Sequence, residues 1–173
     1  MTVSVPIEIR LARALDAPFL PGVEQSAGAA FRALPELAWI ADEPIASGET
    51  SLPLIEAGTV WVAQDAQAGL VGELLAGIFD DALHIFELAV AQDFQQRGIG
   101  PRLIDAAVQA ARARNLKAIT LTTFRHVAWN GPFYARYGFA ELSGADVDAR
   151  LADIISSEEA RGLPNRCAMR LTL

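Results

Sequence analysis

Cysteine is nearly absent: Cys167 stands alone among 173 residues. A single thiol excludes an internal disulfide framework and fits a reducing compartment. Histidine is almost as scarce, with His84 and His126 only, and no His/Cys/Asp grouping has metal-ligand spacing. Long apolar runs are also missing. No uncharged stretch approaches ~18 residues, so no membrane span is expected. The opening residues "MTVSVPIEIRLARALD" hold no apolar segment of the kind a secretory leader requires, and a cytoplasmic protein is expected. Positive charge is short overall: the net charge is −7, which argues against general nucleic-acid binding.

What is present is a chain that is 52% apolar and long enough for one domain. A chain of this size buries roughly 70% of its unfolded surface, so it needs no covalent staples. We expect a single domain over residues 1–173. Its charges are unevenly placed. Residues 1–96 hold three basic and fourteen acidic side chains, whereas residues 97–125 hold six basic and one acidic. The basic segment begins at a glycine-rich turn, which suggests an anionic ligand there. The acidic first half suits a cationic second ligand, although scattered surface carboxylates are the commoner explanation.

Periodicity organises the rest. "IEIRLAR" (7–13) alternates like a half-buried strand, and a helix is expected from an Asp16 cap to about Arg32. The proline-bearing stretch from Ala33 to Pro53 reads as loop with a short helix after Ser51. "TVWVAQD", "LVGELLAGIF" and "LHIFELAV" read as three strands whose short connections require an antiparallel meander. Ile104, Ala107, Val108 and Ala111 then recur at helical spacing, with Asp105, Gln109 and Arg112 on the other side. "KAITLTTF" is the next strand, and strand–helix–strand implies a parallel pair. "WNGPFYARYGF" predicts a helix with Asn130 as its cap, Pro132 early and Gly138 as its stop. A helix over 146–161 and a final strand "RCAMRLTL" complete an α+β reading: a mixed, mainly antiparallel sheet flanked by helices.

Between strand and helix lies "QQRGIG" (95–100). Glycine costs roughly 1 kcal/mol relative to alanine inside a helix, so two at its start need a reason. Helix-start N–H groups lack intrahelical partners, and the macrodipole adds about half a positive charge. Glycines let a phosphate approach that backbone without Cβ atoms in the way. No Lys-Ser/Thr pair follows, so this is no P-loop, and G-x-G alone is not a dinucleotide fingerprint. The six residues taken alone also fit a tight turn built for packing.

The stretch resembles the Q/R-x-x-G-x-G/A signature of the GNAT superfamily of acyl-CoA-dependent N-acetyltransferases. The order around it is similar too: an "ELAV" strand, the signature, a helix, a strand, and a helix ending "FYARYGF". The resemblance runs from Ile7 to Leu173 and is most specific over Glu87–Phe139. It implies a six- to seven-stranded sheet with a splayed central pair, acetyl-CoA as co-substrate and no metal. It places the coenzyme pyrophosphate on the backbone of Gln95, Gln96, Arg97, Gly98, Ile99 and Gly100, continuing to Arg102. It places pantetheine against the strand backbone at Leu88, Ala89 and Val90. Pro101 departs from the pattern by removing one N–H, and the Arg97 or Arg102 side chain is expected to compensate.

By the same resemblance Tyr134 stands where the family commonly has a general acid, and the Val90 N–H faces the developing oxyanion. A tyrosine near pKa 10 is a weaker acid than a thiol near 8.5, so full transfer to the thiolate is uphill by roughly 2 kcal/mol. Tyr134 is therefore expected to donate a hydrogen bond as charge develops. A core tyrosine is the alternative, and the motif does not point to Tyr137. Glu87, three residues before Val90, is the candidate base, directly or through water; an edge carboxylate or ion pair is the alternative. Asn130 is four residues before Tyr134, where the family has its asparagine about seven before, at Val127 here, so Asn130 is carried as a cofactor neighbour. His84 and His126 read as sheet or turn residues and Cys167 as core. Trp39, Asp42 and Glu43 are candidates to line a cation pocket.

The expected activity is transfer of the acetyl group of acetyl-CoA to a primary amine by direct attack, with a small-molecule amine as the acceptor and a protein or peptide amino group as the alternative.

 The rival readings are a non-catalytic acyl-CoA-binding sensor or scaffold, and a nucleotide-binding module. The partner expected is a small-molecule amine, with a cationic one suited to the acidic half and a homodimer through the terminal strand as a further expectation.

Overall fold

The computed structural model describes residues 6–173; the first five residues of the stretch expected to carry no leader lie outside them. Seven strands form one sheet: β1 (Glu8–Leu11), β2 (Val60–Asp65), β3 (Gly69–Phe79), β4 (Ala82–Val90), β5 (Ala118–Phe124), β6 (Ala140–Glu141) and β7 (Arg166–Thr172), in the order β1-β2-β3-β4-β5-β7-β6. The pairs β1–β2, β2–β3, β5–β7 and β6–β7 are antiparallel, and β4–β5 is parallel. The helices are α1 (Leu20–Gly28), α2 (Leu52–Glu56), α3 (Ile99–Ala113), α4 (Gly131–Tyr137) and α5 (Ala149–Ala160). This is the mixed, mainly antiparallel α+β sheet that the alternation predicted. The chain divides into two compact units, one ending at Gly77 and resuming over Glu87–Gln109, the other comprising Ile78–Phe86 and Ala110–Leu173.

In the first unit the two faces of β3 have different cover. A side chain at Gly72 would come within 3.0 Å of Ile99 Cγ2 and 3.1 Å of Ala63 Cβ, so glycine is what lets α3 lie close on that face. Glu73 points to the opposite face because side chains alternate along a strand. Its register partner Val62 belongs to a buried cluster with Ala12, Ala17, Leu20, Ile55 and Val60. Along α3, Leu103, Ile104, Ala107, Val108 and Ala111 are buried, as the helical spacing required. Each large aliphatic side chain buried this way contributes about 2 kcal/mol.

Two expectations for this unit need correction. The helix expected from Asp16 to Arg32 is instead a 3-10 turn (Ala14–Phe19), then α1, then a second 3-10 turn (Ala29–Ala33). Asp16 caps no α-helix: its Oδ2 accepts the Arg13 N–H at 2.7 Å, and its two oxygens accept from Arg10 at 2.7 and 2.9 Å. The stretch read as loop carries a 3-10 helix over Pro35–Asp42, because proline opens a helical turn as readily as it ends one.

In the second unit the parallel register joins Ala82–Ile85 to Ala118–Leu121, while β4 runs on to Val90. β7 pairs with β5 along its whole length and with β6 at Met169 and Arg170, so the terminal strand expected to dimerise is held on both sides there. Glu158 of α5 accepts from Thr122 at 2.8 Å and from Arg166 at 2.8 and 3.0 Å, tying that helix to β5 and β7. Asn130 precedes α4 as expected, but its side chain makes no cap bond; its main-chain carbonyl accepts the Tyr134 N–H at 3.0 Å. Gly138 ends the helix at φ +124°, the conformation for which glycine was expected.

Candidate functional site

The first unit carries most of the predicted residues: Glu87, Leu88, Ala89, Val90 and the whole of Gln95 to Arg102. The end of β4 is fixed from two sides. The Ala91 N–H donates to the Val71 carbonyl at 2.9 Å, and the Gln95 side-chain amide donates to the Val90 carbonyl at 3.0 Å. Gln92 is tied to α1 through its N–H, which donates to Ser26 Oγ at 3.0 Å. A 3-10 turn over Gln92–Phe94 then leads into the glycine loop.

Two left-handed residues shape that loop, Gln96 at φ 60° and Gly98 at φ 74°. Glycine takes this conformation freely, whereas glutamine tolerates it at a cost. Ile99 is 1% exposed and plugs the helix start into the core. The loop runs straight into the start of α3, where the opening N–H groups of a helix have no acceptor within it. They stand at the positive end of a 15-residue helix. Such an array suits a phosphate.

Both arginine side chains of this stretch reach main-chain carbonyls. Arg97 donates to the Asp93 carbonyl at 2.7 Å and lies 4.7 Å over the Phe94 ring. Arg102 donates to the Ile7 carbonyl at 2.7 Å. Both guanidinium groups thus hold main chain in place, and each keeps further N–H donors.

Glu87 is half-buried in β4. The residue that sequence reasoning missed is Glu73. It is 1% exposed, and its Oε2 has no hydrogen-bond partner. Burial, followed by the negative charges of Glu87 and Glu24, pushes its carboxyl up to about 9. Burial also raises Glu24 in α1. A glutamate in the middle of "LVGELLAGIF", on the parity of Val71 and Leu75, was the available clue.

Tyr134 and Asn130 belong to the second unit. Tyr134 is 7% exposed and packs edge-on against Phe133 and Phe139, with ring centroids at 5.1 and 5.6 Å. Asn130 Oδ1 is buried without a hydrogen-bond partner. His84 is a buried sheet residue whose Nδ1 lies 2.9 Å from Thr120 Oγ1; burial, then the nearby Arg150, lowers it to about 4. Cys167 is buried and its thiol is pushed up, chiefly by burial. His126 is exposed. In the candidate cation loop, Asp42 pairs with Arg32 at 2.7 Å in an exposed position. Among the described residues no group of His, Cys, Asp and Glu could hold a metal ion, and no helix is long and apolar enough to cross a membrane.

The model of the acetyltransferase (GNAT) domain family matches residues 56–141, which include β4, the glycine loop, α3, β5 and α4. The chain belongs to the GNAT superfamily. It is 32% identical over 96 residues to the amino-acid acetyltransferase of Mycobacterium tuberculosis, a match covering 54% of this chain and 52% of that protein. The chain therefore spans about half the length of that relative. Among solved structures, the PaiA N-acetyltransferase of Thermoplasma acidophilum in complex with coenzyme A superposes with a TM-score of 0.73 at 18% identity, covering 98% of this chain and 100% of that one. Rv2747 of Mycobacterium tuberculosis, in complex with CoA, gives 0.69 at 23% identity, covering 96% and 99%. At these identities the two structures establish a shared GNAT fold.

Proposed function

We propose that this GNAT protein transfers the acetyl group of acetyl-CoA to a primary amine by direct attack, without a covalent enzyme intermediate. The observation that carries the reading is the loop with left-handed Gln96 and Gly98 that runs into the positive end of α3. In this reading the backbone of Gln95 to Gly100, with Arg102, holds the pyrophosphate. Leu88, Ala89 and Val90 pair with pantetheine, and Asn130 neighbours the cofactor. The solved relatives bound to coenzyme A support the choice of cofactor.

The chemistry assigns the remaining roles. An amine near pKa 10 is protonated at neutral pH and loses a proton before attack. Glu87 takes that proton, directly or through water. The Val90 N–H stabilises the oxyanion as the tetrahedral centre forms. Tyr134 donates a hydrogen bond to the departing thiolate. The acceptor is a small molecule; the amino-acid acetyltransferase likeness supports a small amine over a peptide.

Calorimetry with coenzyme A and ATP, followed by an amine panel read by thiol release from acetyl-CoA, tests the proposal. Binding of coenzyme A in preference to ATP and turnover on a small amine are expected. Tighter binding of ATP, or no thiol release with any amine or peptide, would overturn it.

A further inference from the structure

Two arginines of the second unit are held by carboxylates: Arg166 by Glu158 at 2.8 Å and Arg125 by Glu141 at 2.7 Å. Arg150 is not. It stands in the first turn of α5, after the Asp148 cap, where the helix macrodipole disfavours a cation. Its guanidinium lies 4.3 Å over the Phe79 ring, and its Nη1 is buried with no hydrogen-bond partner. Among the described residues no carboxylate pairs with it. A half-buried guanidinium that has given up hydration without gaining an acceptor is stabilised by an anion on its open side.

The surroundings of Arg150 are those of a contact surface. Phe79 and Phe86 pack edge-on at 5.9 Å, yet they are 37% and 47% exposed. Both rings touch His84, which bonds Thr120 on the sheet face that α5 covers at Thr122. Along α5, Arg150, Asp153, Ile154, Ser157, Glu158 and Arg161 recur at helical spacing and line an open groove of about 660 Å³. Glu158 is committed to Thr122 and Arg166, whereas Asp153 is exposed and, among the described residues, meets no cation. One face thus carries an unmatched arginine and an unmatched aspartate, separated by about 4.5 Å along the helix axis. Such a face is complementary to itself. We propose that it is the interface between two copies of this chain. The two α5 helices cross antiparallel about a two-fold axis between Arg150 and Asp153, so that Arg150 of each copy meets Asp153 of the other. Phe79, Phe86 and Ile154 supply the apolar part, and aromatic side chains beside arginine are the composition of an interface centre. The terminal strand β7 is already paired on both sides, which leaves this face for the role.

Sedimentation equilibrium of the full chain over about a hundredfold range of concentration reads the assembly, and a reversible dimer of the 18.5 kDa chain is expected. Arg150→Asp and Asp153→Arg should each weaken dimerisation at least about tenfold, because each sets like charges opposite one another at both pairs. The double variant should recover it, since the two ion pairs re-form with their roles exchanged. Both single variants should fold: an acid in the first turn of α5 suits the macrodipole, and Asp153 is exposed. Phe86→Ser, at an exposed position, should also weaken dimerisation at least about tenfold and tests the apolar part independently of the charges. Wild type that stays monomeric overturns the interface, whether or not acetate or phosphate then binds at Arg150. So does a dimer unchanged in any single variant, or one that both reversals break and the double variant does not restore.

Discussion

Replacing Glu73 by glutamine should make the protein more stable at neutral pH, an unusual outcome for a fully buried position. The carboxyl is held protonated up to about 9, against 4.5 when unperturbed. Above 4.5 the unfolded chain ionises this group while the folded chain does not, so unfolding releases a proton. Its contribution is fully present below 4.5 and is lost as pH rises towards 9, at 1.36 kcal/mol per unit. At pH 7.5, three units above the unfolded value, the loss is about 4 kcal/mol as an upper limit. Glutamine has the same shape and never ionises, so its curve should be flat over this range. For a chain of this length each kcal/mol moves Tm by about 2–4 °C. The gap between variant and wild type should therefore widen by about 8–16 °C between pH 4.5 and 7.5. Thermal unfolding at half-unit pH steps reads it directly. Curves that stay parallel would refute the reasoning, because a carboxyl that ionises alike in both states contributes no slope.

The second unit carries the opposite slope: His84, lowered to about 4 from 6.5, favours folding above 6.5 and loses that contribution as pH falls to 4, up to about 3 kcal/mol. Urea unfolding of His84→Gln beside wild type should show the acid limb flattened. Tyr134→Phe should lower kcat about a hundredfold with the KM for acetyl-CoA unchanged, since only the hydrogen bond to the leaving thiolate is removed. Gly98→Val should cost about 1–3 kcal/mol through its left-handed φ and raise the Kd for coenzyme A at least tenfold, although nothing in the protein lies within 4 Å of the added Cβ. Asp16→Ala should lower stability by about 3 kcal/mol in denaturant titration, because it strands Arg10 in a partly buried site. As Asp16 is held below the usual carboxylate range by Arg10, that difference should vanish as pH falls through its lowered value.

The sheet was legible because its strands alternate or run continuously apolar between unambiguous turns. The α3 helix was legible because Ile104, Ala107, Val108 and Ala111 share one face. The region from Ala14 to Asp42 was not, because its prolines and small residues fit helix, 3-10 turn and loop about equally, and packing decided among them. Asn130 shows the limit of cap reasoning: residue type identified the position, but the side chain turns inward and bonds nothing there. The glycine loop was readable as a glycine-assisted turn into a helix, since that depends on main chain and local conformation. The carbonyl partners of Arg97 and Arg102 were not: Asp93 is near in sequence but reached only through the turn between, and Ile7 is a matter of tertiary contact.

Glu73 stayed hidden for a deeper reason. Residue type and period give its strand and its face, yet the property that matters is the absence of a cation, which depends on every element packed around it. Arg10, the first basic residue of the chain, is already committed to Asp16 and Gln64. Arg97 and Arg102 are committed to main chain and Arg32 to Asp42, while Arg13 lies outside the groups that act on Glu73. The first unit therefore spends its few cations elsewhere and leaves its most buried carboxyl neutral. A protein that needed this residue only for packing would do better with leucine, which suits the Val62–Leu20 cluster and carries no desolvation cost.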